Sequence, residues 1–252
     1  MSTEAHRYEA PAALLEGRNI LVTGAGDGIG RAAAECFATH GATVVLLGRT
    51  QAKLESCYDA IIASGAPQPV IQVLDLARAT ESEFAALSEQ LGAELGCLHG
   101  LLHNAALLGP RTPLEQYPLE QWREVMKVNV EAAFVLTRAL LPALTAAPEA
   151  SVVFSSSAVG RRGRAYWGAY AVSKFAVEGL SQVLADELQN TTRIRVNCIN
   201  PGATNTSMRR TAYPAEAPQR NPSPAAIMSS YLYLMGPASA GISGHSLDAQ
   251  PG

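Results

Sequence analysis

The chain has 252 residues, of which 16% are charged and 48% hydrophobic, and its formal net charge is −3. That length suits one α/β domain built around a well-buried core. The charge balance offers no basic surface for nucleic acid, and no uninterrupted apolar stretch approaches the roughly 18 residues of a membrane span.

The leader, residues 1–17, carries Glu4, Glu9 and Glu16 among scattered apolar residues and lacks the apolar core of a signal peptide. Cys36, Cys57, Cys97 and Cys198 form no Cys-x-x-Cys pair, which reads as buried free thiols in a reducing cytoplasm. His6, His40, His99, His103 and His245 show no metal-ligand spacing, so no metal is expected.

After the leader, residues 19–23 (Asn-Ile-Leu-Val-Thr) read as a buried strand that runs into Gly24-Ala25-Gly26-Asp27-Gly28-Ile29-Gly30 and a helix over 31–40. Strand, glycine turn and helix in that order place backbone N–H groups at a helix N-terminus, where they hold a pyrophosphate. Gly24 permits the sharp turn, Gly28 lets the backbone approach the phosphate, and Gly30 allows helix to pack closely on strand. A tight structural turn is the plainer reading of the same glycines.

The second strand, residues 43–47, ends in Gly48-Arg49. An NAD-binding chain places an acidic residue about 20 positions past the glycines, where it accepts from the ribose 2′-OH. A guanidinium stands there instead and suits a 2′-phosphate, so NADP(H) is preferred, with NAD(H) as the second possibility. Lys53 adds positive charge or faces water. A helix over 51–63 leads to a third strand, 70–74, which delivers Asp75 and Leu76 near the expected adenine. Asp75 fits equally well as the N-cap of the next helix, over 80–95.

The fourth strand, 98–102, precedes His103-Asn104-Ala105-Ala106, where Asn104 is suited to tie neighbouring loops together. A long helix is expected over 119–144 with Asn129 in its middle, an unfavourable position for asparagine that implies either a role or a satisfied buried polar group. The fifth strand, 151–155, leads to Ser157, and a helix over 168–189 carries Tyr170 and Lys174, four apart and therefore on one face. A free phenol has a pKa of about 10, and a nearby ammonium would draw it toward neutrality. Ser157 is placed to polarise a carbonyl oxygen beside that phenol. The sixth strand, 194–199, runs into Pro201-Gly202, and Thr204 follows in a polar, proline-rich stretch, 203–224, that suggests a substrate lid. A helix over 225–234 and a strand over 245–247 close the chain.

Alternating strands and helices predict a single-domain, Rossmann-like, doubly wound parallel sheet of about seven strands with helices on both faces. Gly24, Arg49, Asp75, Asn104, Ser157 and Pro201 each follow a different strand, so they converge on one sheet edge.

With these residues in place, the chain resembles the short-chain dehydrogenase/reductase superfamily over essentially its whole length. Thr23-Gly24 through Gly28-Ile29-Gly30 match its glycine motif, and His103-Asn104-Ala105-Ala106 its Asn-Asn-Ala-Gly block in altered form. Pro201-Gly202 match its Pro-Gly, and Asn129, Ser157, Tyr170 and Lys174 its catalytic tetrad. Residues 20–23, 46–49 and 248–252 resemble one group of bacterial oxidoreductases within it, which brings no substrate. Ala106 in place of glycine crowds the cofactor loop slightly, and Tyr166, lacking a lysine four residues on, is rejected as the catalytic phenol.

The resemblance implies hydride transfer between NADP(H) and a carbonyl or alcohol carbon of a small molecule. Tyr170 would give or take the proton, Ser157 would hold the substrate oxygen, and Lys174 would bind the nicotinamide ribose. Asn129 would position a water linking Lys174 to solvent. Asp27, Ile29, Asp75, Leu76 and Thr204 would join the glycines, Arg49, Asn104, Pro201 and Gly202 around the cofactor. The resemblance also implies a homodimer or homotetramer formed through the helices holding Asn129 and Tyr170. A protein that senses NADP(H) without turnover is the alternative, and a nucleotide-sugar epimerase or dehydratase is disfavoured because only about fifty residues follow Pro201. Arg161, Arg162, Arg164, Arg209 and Arg210 raise the prospect of an anionic substrate, though ion-paired or solvated arginines are commoner. Trp167 and Tyr213 are candidates for an apolar pocket wall.

Overall fold

The computed structural model describes residues 5–251; Met1 to Glu4 of the leader and the terminal Gly252 lie outside the described residues. The strands are β1 (Asn19–Thr23), β2 (Thr43–Gly48), β3 (Val70–Val73), β4 (Gly100–His103), β5 (Ala150–Ser155), β6 (Ile194–Asn200) and β7 (Ser246–Asp248). They form one seven-stranded sheet in the order β3-β2-β1-β4-β5-β6-β7. Every pairing is parallel. The helices are α1 (Gly28–Thr39), α2 (Gln51–Ala63), α3 (Glu81–Leu95), α4 (Leu119–Met126), α5 (Ala132–Thr145), α6 (Gly168–Leu188), α7 (Ser207–Ala212) and α8 (Met228–Met235). The Rossmann-like doubly wound fold is the one expected from the sequence.

Successive residues of a strand face opposite sides of the sheet, and these strands are apolar on both. Leu21, Val45, Leu47 and Leu101 point into a core shared with Phe84 of α3 and Leu136 and Leu140 of α5. Ile20, Val22, Val44 and Leu46 point the other way, onto Phe37 of α1, Ile61 of α2 and Tyr231 of α8. The chain builds outward from β1 to β2 and β3, then crosses back to β4 on the other side of β1. That reversal opens a crevice at the carboxyl ends of β1 and β4, where ligands bind in open parallel sheets.

Strand and helix ends shift by a few residues from the periodicity, and three differences bear on the site. First, α1 begins at Gly28, so the last glycines of the turn form its first helical turn. Second, Thr80 is the N-cap of α3, closing a capping box with Glu83. Asp75 therefore does not cap that helix; its carboxylate accepts from the Ala77 N–H at 3.0 Å. Third, the single helix expected over 119–144 is α4 and α5 joined by a π-type turn, Lys127–Glu131. Leu119–Thr145 has the length and composition of a membrane span. Its Val125, Val128, Val135, Leu136 and Leu140 are nevertheless buried in the folded chain.

Candidate active site

The turn after β1 leaves no room for a side chain at Gly24 or Gly30. Gly24 has φ 69°, and a Cβ there would lie 3.0 Å from the Cα of Ala105. A Cβ on Gly30 would meet the Gly24 carbonyl oxygen at 2.3 Å and the Asn104 Nδ2 at 2.6 Å. Helix α1 can start against the strand only because both residues are glycine. Asp27 stands at its N-cap without a side-chain bond into the helix. Its carboxylate accepts instead from Lys53 Nζ at 2.7 Å, which holds it below the usual carboxylate range.

Thr23 and Asn104 then fix the neighbouring strand ends. The Thr23 hydroxyl accepts from the Asn104 and Ala105 N–H groups, both at 3.0 Å. The Asn104 Oδ1 accepts from Ser155 Oγ at 3.3 Å, which ties β4 to β5. On the far side, Gly202 has φ 69°, and the Pro201–Thr204 loop is gripped from the C-terminus. Gln250 Nε2 donates to the carbonyls of Pro201 (2.7 Å) and Ala203 (3.0 Å) and to Thr204 Oγ1 (3.2 Å). Gln250 was not singled out in the sequence; nothing in its spacing marks it, and only the fold brings it under that loop.

These strand ends enclose a cleft of about 440 Å³. Among the expected cofactor residues, Gly24, Asp27, Gly28, Ile29, Arg49, Asp75, Leu76, Asn104, Pro201, Gly202 and Thr204 line it, as do Ser157, Tyr170 and Lys174. Gly30 lies beneath it as the packing glycine, and Asn129 lies behind it. Arg49 is exposed, and no hydrogen-bond or ion-pair partner for it is found among the described residues. Lys53 beside it is occupied by Asp27. Tyr166 is exposed and outside the cleft, whereas Tyr170 is buried.

At the floor, Lys174 Nζ donates to the Ser155 carbonyl at 2.6 Å and lies 5.5 Å from the Tyr170 ring centroid. Burial lowers the ammonium to about 8, with Cys198 and Glu178 opposing. The expected depression of the Tyr170 phenol by Lys174 is not what this geometry gives: burial pushes the phenol up to about 12, and only the Ser157 hydroxyl draws it back. Desolvation dominates the phenol, while the Lys174 ammonium is held by the Ser155 carbonyl.

Asn129 is buried in the π-type turn and all its amide atoms are bonded. Its Oδ1 accepts from Leu107 N–H at 2.7 Å, and its Nδ2 donates to the Leu107 carbonyl at 3.0 Å and to Ser173 Oγ at 2.9 Å. The side chain thus clamps the loop after β4 onto α6 and makes no bond to Lys174. A small cavity of about 10 Å³ lies between Asn129, Lys174, Ser155 and Thr23, near the lower limit for one water.

Most of the arginines flagged in the sequence have partners. Arg161 pairs with Asp248 at 2.8 Å, Arg209 with Glu216 at 2.6 Å, and Arg210 donates to Asn205 Oδ1 at 3.0 Å. Trp167 lines the cleft, 5.7 Å from Tyr170 between ring centroids, and Tyr213 packs behind Trp167 at 5.9 Å. The flagged segment 203–224 contains α7, whose Ser207 hydroxyl donates to Asp27 across the cleft at 3.4 Å.

The sequence profile described as short chain dehydrogenase matches residues 18–217. The chain belongs to the short-chain dehydrogenase family. It is 51% identical over 245 residues to the uncharacterized oxidoreductase YciK of Escherichia coli K12, covering 97% of this chain and 96% of that one. A solved Pseudomonas syringae structure described as a short chain dehydrogenase superposes with a TM-score of 0.95 at 58% identity, covering 96% of this chain and 98% of its own. One from Shigella flexneri, solved in complex with NADP, gives 0.93 at 50% identity, covering 96% and 100%. As a family member the chain is an oxidoreductase, and the resemblance to the YciK group read from residues 20–23 and 46–49 extends over nearly its whole length.

One departure from the family pattern has a measurable consequence. His103, where the family has asparagine, is buried and stacks on Phe154 at 4.7 Å. The Thr137 hydroxyl donates to the Ala133 carbonyl at 2.7 Å, so its oxygen accepts from His103 Nε2–H, also at 2.7 Å. Burial, with Lys174 nearby, lowers this imidazole to about 3. Between that value and the ordinary 6.5, the unfolded chain binds a proton the folded one does not, so stability falls as pH drops through this window. His103→Asn should flatten that part of the pH dependence in urea titrations; an unchanged slope between pH 6.5 and 4 would refute the assignment.

Proposed function

We propose that the chain interconverts a carbonyl and an alcohol on a small molecule with NADP(H), with Tyr170 as general acid and base. The observation that carries the proposal is the convergence of Ser157, Tyr170 and Lys174 on the floor of a cleft whose other end holds the unpaired Arg49. The cleft fits a dinucleotide. Gly24 and Gly30 form a cradle no Cβ could enter, and the N-terminus of α1 carries no side-chain cap. The bound nicotinamide would supply or accept the hydride.

The chain's own residues do the rest. The α1 N-terminus and Gly28 receive the pyrophosphate, and Arg49 receives the 2′-phosphate that distinguishes NADP from NAD. Asp75 and Leu76 lie along the adenine side, and Thr204 with Pro201-Gly202 borders the nicotinamide side. Ser157 Oγ orients the substrate oxygen, and Tyr170 Oη gives it a proton during reduction. Burial keeps the phenol protonated at neutral pH, so it has a proton to give. Lys174, positioned by the Ser155 carbonyl, faces the ribose and supports charge that develops on the phenol. Asn129 is a positioning residue, keeping the loop after β4 seated on the helix that carries Tyr170.

The segment 203–224 serves as a lid over the cleft, with α7 crossing to Asp27. The chain acts in the cytoplasm, consistent with the four free thiols, and nucleic acid and membrane are not its partners. It assembles as a homodimer or homotetramer, because Phe134 of α5 and Val172, Phe175 and Val183 of α6 are exposed apolar side chains on the helices next to Asn129 and Tyr170.

Tyr170→Phe should lower kcat about 10²- to 10⁴-fold while NADPH binding is retained. Unchanged turnover would remove Tyr170 from the chemistry, and full cellular function in that variant would favour the sensing alternative. In fluorescence titrations Arg49→Ala should weaken NADPH about tenfold or more and leave NADH unchanged; equal losses for both would make Arg49 structural. Light scattering after size exclusion should give two or four chains per particle, and Phe175→Glu should shift the particle toward one. A monomeric wild type would overturn the assembly.

A further inference from the structure

Three guanidinium groups converge on one aromatic ring, Tyr213, which packs against the Trp167 wall of the cleft. The Cζ atoms of Arg209, Arg111 and Arg164 lie 3.8, 5.0 and 6.0 Å from the ring centroid of Tyr213. One carboxylate answers them: Glu216 accepts from Arg209 Nε and Nη2 at 2.6 and 2.7 Å. Arg111 donates to the Ala212 carbonyl and also stacks 5.0 Å over Trp167. Arg164 donates to the Tyr213 hydroxyl at 2.9 Å. Among the described residues, neither Arg111 nor Arg164 has a carboxylate within ion-pair distance. Cation–π contacts hold such groups in place without cancelling their charge, so two positive charges stand uncompensated at this mouth.

Directly inside, the wall turns apolar. Ala106, Leu108, Trp167, Met208 and Ala212 pack around Tyr170 in one cluster. This wall places a hydrophobic surface between the phenol and the cations around Tyr213. The steps from the Tyr170 ring centre to Trp167 (5.7 Å) and from Trp167 to the Arg111 guanidinium (5.0 Å) keep that cation within reach of a ligand seated at the phenol.

We propose that the substrate is an amphiphilic anion. Its carbonyl sits at Tyr170, its apolar body lies against Leu108, Trp167 and Met208, and its anionic oxygen group, several bonds from the carbonyl, is held by Arg111 and Arg164. The position of the carbonyl rests on the oxidoreductase reading; the anion site does not. A guanidinium already stacked on an aromatic ring is pre-oriented, so little freedom is lost when an anion binds it. Of the arginines flagged in the sequence, Arg164 is the one in this cluster without a carboxylate, Arg209 being paired with Glu216, and Arg111 joins it from the loop after β4.

Calorimetric titration of the NADP-loaded protein with octanoate and with 1-octanol, at low ionic strength, tests the site without turnover. Octanoate should bind about tenfold or more tightly than the alcohol. The preference should vanish in Arg111→Gln/Arg164→Gln, survive in part in Arg111→Lys, and shrink at about 0.5 M salt. Equal affinities in the wild type, absence of octanoate binding, or a preference that persists in the double glutamine variant would overturn the proposal. The same titration without nucleotide reads the anion site even if NADP does not bind. Tyr170-dependent reduction of neutral ketones with no octanoate preference would retain the oxidoreductase reading and reject the anion site. An arginine-dependent preference without turnover of any carbonyl would do the reverse.

Discussion

The site depends on a steric constraint at the first turn: the Gly24 carbonyl and the space a Gly30 side chain would need cannot both exist. With glycine at both positions, α1 begins immediately against β1 and its first N–H groups face the crevice. Asn104 occupies the space above Gly30 and passes the constraint on, through Thr23 to the β1 edge and through Ser155 to the β5 edge. The Ser155 carbonyl then receives Lys174. A short chain of contacts therefore connects the phosphate end of the cleft to its reactive end, and each link is a backbone group or a short polar side chain with little freedom to move.

Electrostatics divides the cleft differently from sterics. At the floor, burial acts against charge, so Tyr170 stays protonated and the Lys174 ammonium is lowered to about 8. At both outer ends the cations are exposed: Arg49 at one, Arg111 and Arg164 at the other. A polar ligand at either rim would meet charge that water already solvates, whereas the reacting atoms would meet groups that are nearly dry. Differential stabilisation of a transition state requires this separation of roles, because attraction at the rim is common to ground and transition states.

The fold was legible in the sequence because both faces of the sheet are covered: the strands read as near-continuous apolar runs, and glycine or a polar residue marks each end. The residues around the cleft were legible for the same reason, since a parallel sheet gathers every strand end onto one edge. What could not be read was anything decided by a partner distant in the chain. The neutralisation of Arg161 by Asp248 and the grip of Gln250 on Pro201 bring together positions separated by more than forty residues. The isolation of Arg111 from acids is equally a property of the folded surface. Asn129 was found by its oddness within a helical pattern, but its partner, the backbone of Leu107, carries no side-chain signature at all.

The π-type turn at Lys127–Glu131 has a consequence of another kind. Such a turn holds one residue more than the α-helix it interrupts. Everything after it, including the buried face of α5 and the exposed Phe134, is rotated relative to α4 by about 100° from where an unbroken helix would put it. Loss of one residue from the turn would regularise the helix and leave α5 seated on the sheet, whereas tightening the turn at unchanged length would swing α5 out of register. The extra residue therefore sets the direction in which Asn129 points, while its three side-chain bonds to Leu107 and Ser173 fix its identity.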